Sequence, residues 1–270
     1  MIKEKETMVR LNNFSEHHLR IIFGFFALTI VICITFFSSQ LIWKIAALLI
    51  SSYAFVEWLI TFEKRKINIF TSYLVFIILS FYFLNIIDNI FFELSLIFFG
   101  IFFLIYIIFI SYKLFLKNKY FWLFISYIKN IYLFLFLNFF FSDRYHLLLF
   151  LIFVFICDTS CYLFGKNFGK NSFTSISPKK TTEGFMFGLF FSVISISILI
   201  NVFFDKSLLM SILMATLIFF TSVIGDLFFS LFKRTYRIKD YARIIPGHGG
   251  LLDRLDSIFL NLPLFILLIY

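Results

Sequence analysis

Long apolar runs separated by short polar connectors recur along this chain from residue 20 onward. Several reach eighteen residues or more, enough for a helix to cross a hydrocarbon core of about 30 Å. Backbone in lipid must satisfy its own hydrogen bonds, and runs this long and continuous favour helices over barrel strands. The pattern predicts about nine spans, at 20–38, 41–62, 68–87, 92–112, 121–141, 146–164, 185–204, 208–231 and 257–270. The last is the shortest. The run that follows the polar segment 1–19 has no small-residue cleavage site, which predicts a retained span and not a signal peptide. The expected fold is an all-α polytopic integral membrane helical bundle.

The polar connectors give the bundle a direction. With the N-terminus cytoplasmic, the inside segments are 1–20, 63–67, 113–120, 165–184 and 232–256, and they hold twenty of the twenty-four Lys and Arg residues. Positive charge on cytoplasmic loops is what sets topology, so the alternation supports both the span count and the orientation. It also accounts for most of the formal net charge of +9 without nucleic acid as a partner. The organisation expected is a cytoplasmic segment 1–19, N-terminal membrane helices 20–156, and a membrane region 157–270 that carries the chemistry, with cytoplasmic loops 165–184 and 232–256.

Composition agrees: 61% of residues are hydrophobic and 14% charged, where a soluble domain has about a quarter charged. Cys157 and Cys161 are four apart on one helix face, but no second pair or nearby His completes a zinc site, and they read as small apolar residues of a membrane helix. A charge inside a span costs about 2.5–3.5 kcal/mol at a helix centre on insertion scales. Lys44 lies near a span end and can snorkel. Glu57 has two readings: an acid facing the bundle interior near a ligand, or a near-interface acid paired with Lys64 or Arg65. Asp158 and Asp226 sit towards the cytoplasmic halves of their spans, where a carboxylate can reach a metal or a phosphate group.

Three polar constellations follow. In CDTSCYLFGKNFGK (157–170), Asp158 is followed by Tyr162, by Gly165 and Gly169, which let backbone approach a ligand, and by Lys166 and Lys170. In SPKKTTEG (177–184), Ser177 precedes Pro178, which fixes a turn. Lys179 and Lys180 can meet phosphate there, Thr181 and Thr182 offer hydroxyls, and Thr181 can cap the helix that Glu183 and Gly184 begin. The third, Gly225 to Ser257, holds four of the fifteen acidic residues and six of the basic ones. Asp226 is followed by Lys233 and Arg234, then Lys239 and Asp240, the turn IPGHGG, and Asp253, Arg254 and Asp256. Asp253 and Asp256 are three apart and share a face if helical. Two such carboxylates, joined by a third from a packed helix, suit a hard divalent cation such as magnesium.

The order Ser230, Lys233, Arg234, Lys239, Asp240, Pro246, His248, Gly249, Gly250, Asp253, Arg254, Asp256, with DTSCYLFGKNFGK and SPKKTTEG upstream, resembles the signature of the phosphatidate cytidylyltransferase (CDP-diacylglycerol synthase) family. The resemblance is specific over 157–260 and general before that. It implies a polytopic protein of a bacterial cell (inner or plasma) membrane, with a cytoplasmic-side site that joins CTP and phosphatidic acid with magnesium and releases pyrophosphate. The chain departs from the family pattern at Phe229, where an acid is usual, at Cys161 in place of a commoner Ala, and at Thr182 in place of a bulkier apolar residue.

On that resemblance Asp226, Asp253 and Asp256 are the expected metal ligands, Asp256 also being open to a role behind the ligands. Lys233, Arg234 and Lys239 are expected to neutralise phosphates in the catalytic set that also takes in Asp240 and Arg254. His248 is expected either to bond a phosphate or to shape its turn. Lys179, Lys180 and Thr181 are expected to contact CTP or the lipid head group, in a substrate-binding set with Asp158, Tyr162, Ser177, Glu183, Gly249 and Gly250. Asp158 is assigned either to orienting a lysine or to a second cation, monovalent or divalent. The lipid bilayer is a partner, and a homodimer is left open. Competing readings are a transporter of a phosphorylated solute or lipid, a cytidylyltransferase for another lipid phosphate, and a degenerate scaffold. Transporters tend to place charge near the midplane, whereas here it gathers at one surface.

Overall fold

A computed structural model describes residues 29, 33, 35–63, 66–86, 119–139, 144–174, 177–241 and 250–269. These form α1 (Gln40–Phe62), α2 (Lys66–Ile86), α3 (Lys119–Phe139), α4 (Arg144–Phe168), α5 (Thr182–Phe204), α6 (Leu208–Thr235), the one-turn α7 (Leu252–Leu255) and α8 (Asn261–Ile269). The described structure is helical, apart from one isolated antiparallel bridge between Ser172 and Thr181. Four helices, α1, α4, α5 and α6, are long and apolar enough to cross a membrane, and α2 and α3 contain shorter apolar stretches. The expected span 92–112 and most of 20–38 lie outside the described residues.

Helix starts follow their caps. Ser39, Thr181 and Ser207 each accept, through the side-chain hydroxyl, from the amide three residues on, opening α1, α5 and α6. At its other end α6 runs past its apolar stretch into Lys233 and Arg234, cations that suit a helix C-terminus.

Within the expected final span, 257–270, the chain turns through 256–260 and the described helix is α8. Its Leu262, Phe265 and Ile266 are fully buried. The Phe265 ring meets Phe150 and Phe153 of α4 and Phe204 of α5. The polar start of α8 is satisfied inside the bundle, where Asn261 Nδ2 donates to Ser257 O at 2.9 Å and the Thr221 hydroxyl bonds Asn261 Oδ1.

Two packing groups build the bundle. In the first, α1, α2 and α3 contact one another. The Phe55 ring stacks on Phe76 at 4.6 Å, and the Trp43 indole donates to Leu137 O at 2.6 Å. In the second, α4 packs along α5, and α5 along α6. The α4–α5 seam is lined by Gly184, Gly188 and Ser192, four residues apart, the small-residue spacing that lets membrane helices approach closely. A Cβ on Gly184 would lie 2.7 Å from Gly165 Cα, and one on Gly188 would lie 2.8 Å from Cys161 Sγ. The Ser160 and Ser192 hydroxyls bond across the seam at 2.7 Å.

Candidate active site

One cavity of about 560 Å³ gathers residues from all three polar constellations. From α4 it takes Asp158 and Tyr162, from the turn before α5 Lys179, Lys180 and Thr181, and from α6 Ser222 and Asp226. Asp253, Asp256 and Ser257 close it.

The turn before α5 is built as its residues require. Lys180 N–H donates to Ser177 O at 3.0 Å around Pro178, and Phe173 N–H donates to Lys180 O at 2.7 Å. Glu183 folds this loop. Its carboxylate accepts from the amides of Lys170 and Asn171 at 3.0 and 3.3 Å and from Asn171 Nδ2 at 3.2 Å. Glu183 and Ser177 thus shape the loop, while Lys179, Lys180 and Thr181 face the cavity. The Lys180 ammonium pairs with Asp226, joining the loop to α6.

On α6, Ser222, Asp226 and Lys233 recur at helical spacing on one face. Lys233 Nζ lies 2.8 Å from Asp253 Oδ1 and 2.8 Å from Asp256 Oδ2, so the spacing of three does bring the two carboxylates together. Asp253 Oδ2 accepts from the amides of Tyr241 at 3.1 Å and Gly250 at 3.0 Å, the described residues on either side of 242–249. Asp158 binds α4 to the same region, accepting from Ser222 Oγ at 3.3 Å and Ser257 Oγ at 2.8 Å. Sequence reasoning missed both serines, although one stands four residues before Asp226 and the other beside Asp256.

Asp256 is 3% exposed, and its Oδ1 has no hydrogen-bond partner among the described residues. Burial pushes its carboxyl up to about 7, against the pull of the Lys233 ammonium. Burial likewise raises the Tyr241 hydroxyl, whose ring lies 5.1 Å from Lys233 Nζ.

The donor set fits a hard cation in part. Among the described residues no three acid, His or Cys side chains converge tightly enough to cage a metal alone. Asp226 is engaged by Lys180, while Asp253 and Asp256 are engaged by Lys233. An uncommitted buried carboxylate oxygen beside a second carboxylate matches the way magnesium is usually held, by one or two carboxylates plus substrate phosphates.

Other expected residues fall elsewhere. Arg234, Lys239 and Asp240 are exposed and do not line the cavity, and Arg234 Nη1 reaches Ile238 O at 3.5 Å. His248, Gly249 and the side chain of Arg254 lie outside the described residues. Phe229 is wholly buried, its ring 5.5 Å from Trp58 and 5.7 Å from Phe259, so the usual acid is replaced by a member of an aromatic cluster. Glu57 reaches the backbone of Leu251 and Leu252, while Lys64 and Arg65, its partners in one reading, lie outside the described residues.

A phosphatidate cytidylyltransferase of Staphylococcus haemolyticus is 40% identical over 131 residues, 47% of this chain and 50% of that protein. One from Staphylococcus aureus matches to the same extent. One from Aquifex aeolicus is 38% identical over 127 residues, 47% of this chain and 48% of that protein. The chain spans about half the length of the curated relatives it matches. The model of the cytidylyltransferase family matches residues 18–270. Matched over nearly its whole length, the chain belongs to the cytidylyltransferase family.

Proposed function

We propose that this protein transfers a cytidylyl group from CTP to phosphatidic acid, giving CDP-diacylglycerol and pyrophosphate, at the cytoplasmic face of a bacterial cell membrane. The observation that carries this reading is the cavity lined by Lys180 paired with Asp226 and by Asp253 and Asp256, which Lys233 bridges, next to helices apolar enough to sit in lipid. The names of the relatives and the cytoplasmic bias of Lys and Arg support the substrates and the side.

A phosphate oxygen of phosphatidic acid attacks the α-phosphorus of CTP. A P–O bond forms there as the bond to the β-phosphate oxygen breaks, and pyrophosphate leaves with the electron pair. The nucleophile is already an anion near neutral pH, so the barrier lies in bringing anions together and stabilising charge on the leaving group. Lys180, Lys179 and the Thr181 edge of the loop bind phosphate oxygens at the mouth, and Lys233 does so from α6. Asp158 holds α4, α6 and the 256–260 turn in register beneath them. Arg234 and Lys239, exposed outside the cavity, raise the local concentration of anionic substrate. Magnesium, held by Asp253 and Asp256 with Asp226, would neutralise the pyrophosphate.

The test is purified full-length protein in lipid with magnesium, phosphatidic acid and each labelled nucleoside triphosphate in turn. Label should pass into lipid from CTP, with one pyrophosphate released per lipid product. Absence of a labelled lipid product in every mixture would overturn the reading.

A further inference from the structure

Glu57 belongs to none of the three sequence motifs and lies on α1, 194 residues before Leu251. It is 4% exposed. Its Oε1 accepts from Leu251 N–H at 3.2 Å, and its Oε2 accepts from Leu252 N–H at 2.7 Å. Contact continues to the preceding residue, since a Cβ on Gly250 would fall 2.5 Å from Glu57 Oε1. The Gly250 amide is in turn taken by Asp253. Three consecutive amides, 250, 251 and 252, are therefore each held by a carboxylate, and two of those bonds come from the first packing group.

The segment held in this way carries the Asp253–Lys233–Asp256 bridge. Its backbone forms only one helical turn, α7, before turning again through 256–260, so local helix hydrogen bonding does little to fix where the two carboxylates sit. Behind it, the buried Lys129 ammonium of α3 is within electrostatic reach of both Glu57 and Asp256.

We propose that Glu57 is a positioning residue for Asp253 and Asp256. From α1 it fixes the backbone that carries both carboxylates, so that they meet Lys233 at the edge of the cavity. This rests on the cytidylyl-transfer reading for its kinetic consequence, though not for its structural one. Glu57 touches no reacting atom. Its effect is on orientation, and misplacement by about 1 Å can cost on the order of 100-fold in rate.

The experiment compares full-length wild type, Glu57→Gln and Gly250→Ala by hydrogen exchange and by steady-state kinetics in lipid. The Gln side chain turns a donor towards an amide, and the alanine methyl pushes Glu57 aside without altering its charge. In both variants exchange at amides 250–256 should speed up at least about tenfold, with α4 and α5 unchanged. The turnover number should fall by about 10- to 100-fold, with KM for CTP within about twofold, because transition-state orientation is lost and ground-state binding is not. Unchanged exchange at 250–256 in both variants, or equal loss of protection across α4 and α5, would overturn the proposal. So would turnover equal to wild type in both. Exchange needs no substrate, so a wild type that makes no lipid product defeats the proposed reaction, and positioning is then judged on exchange alone.

Discussion

The Lys129 ammonium lies 3.8 Å from the centroid of the Trp58 ring, inside the bundle. Phe259 and Phe229 complete the cage at 4.6 and 5.2 Å, and the ammonium has no hydrogen-bond partner among the described residues. Ring faces attract a desolvated cation, but an ammonium buried without a hydrogen bond is costly, and an apolar side chain of similar volume removes that cost where the neighbouring carboxylates keep other contacts. Here they do: Glu57 keeps two amides and Asp256 keeps Lys233. Lys129→Met should therefore unfold in detergent at or above the wild-type temperature, while Lys129→Ala, which leaves a hole, should lose about 2–4 kcal/mol. A Met variant as weak as the Ala variant would show that the charge itself holds the core.

Asp253→Asn should lower CDP-diacylglycerol formation by about 100-fold or more while membrane insertion is unchanged. One oxygen still accepts from Tyr241 and Gly250, but the new NH₂ then faces the Lys233 ammonium, donor against donor. Labelled-CTP turnover measures it, and near-normal turnover would remove Asp253 from the site.

Lys180→Ala separates binding from stability. Its pair with Asp226 is about one-third exposed on both sides, so the pair itself is worth well under about 1 kcal/mol. A hydrogen bond from the ammonium to a phosphate is worth about 1.5–3 kcal/mol. KM for CTP should rise about tenfold or more with the unfolding temperature nearly constant, as substrate titrations and thermal melts on the same preparation will show.

Ser172→Cys and Lys239→Cys test the side of the membrane. Both positions are exposed and lie in the two basic loops. In a background without Cys33, Cys157 and Cys161, both should react with a membrane-impermeant thiol reagent only from the cytoplasmic side. Reaction from opposite sides would divide the site and end the proposed orientation.

Much of the helix pattern was legible because lipid forces each run to satisfy its own backbone. The expected 41–62 is observed as Gln40–Phe62. The expected 208–231 extends to Thr235, since the helix continues for a turn after its apolar residues give way to Lys233 and Arg234. Within 257–270 the turn through 256–260 was not legible, because burial in protein and immersion in lipid select the same residues. At the site, the spacing of Asp253 and Asp256 carried its own geometry. Glu57 and Lys129 carried none: their partners are amides and rings remote in sequence, which leave no periodic mark. Phe229 was legible as a departure, but its place in the Trp58 cluster was not.

The α4–α5 seam has a consequence for how this sequence can change over time. The atoms that a Cβ on Gly184 would strike belong largely to backbone, Gly165 Cα and Cys161 O, so shrinking a neighbouring side chain cannot make room. A side chain at Gly184 therefore finds no compensating substitution on α4, and the two helices must keep this contact together. Variation is diverted to the outward positions Phe187, Phe190, Phe191 and Ile194, where any residue content among lipid tails will serve.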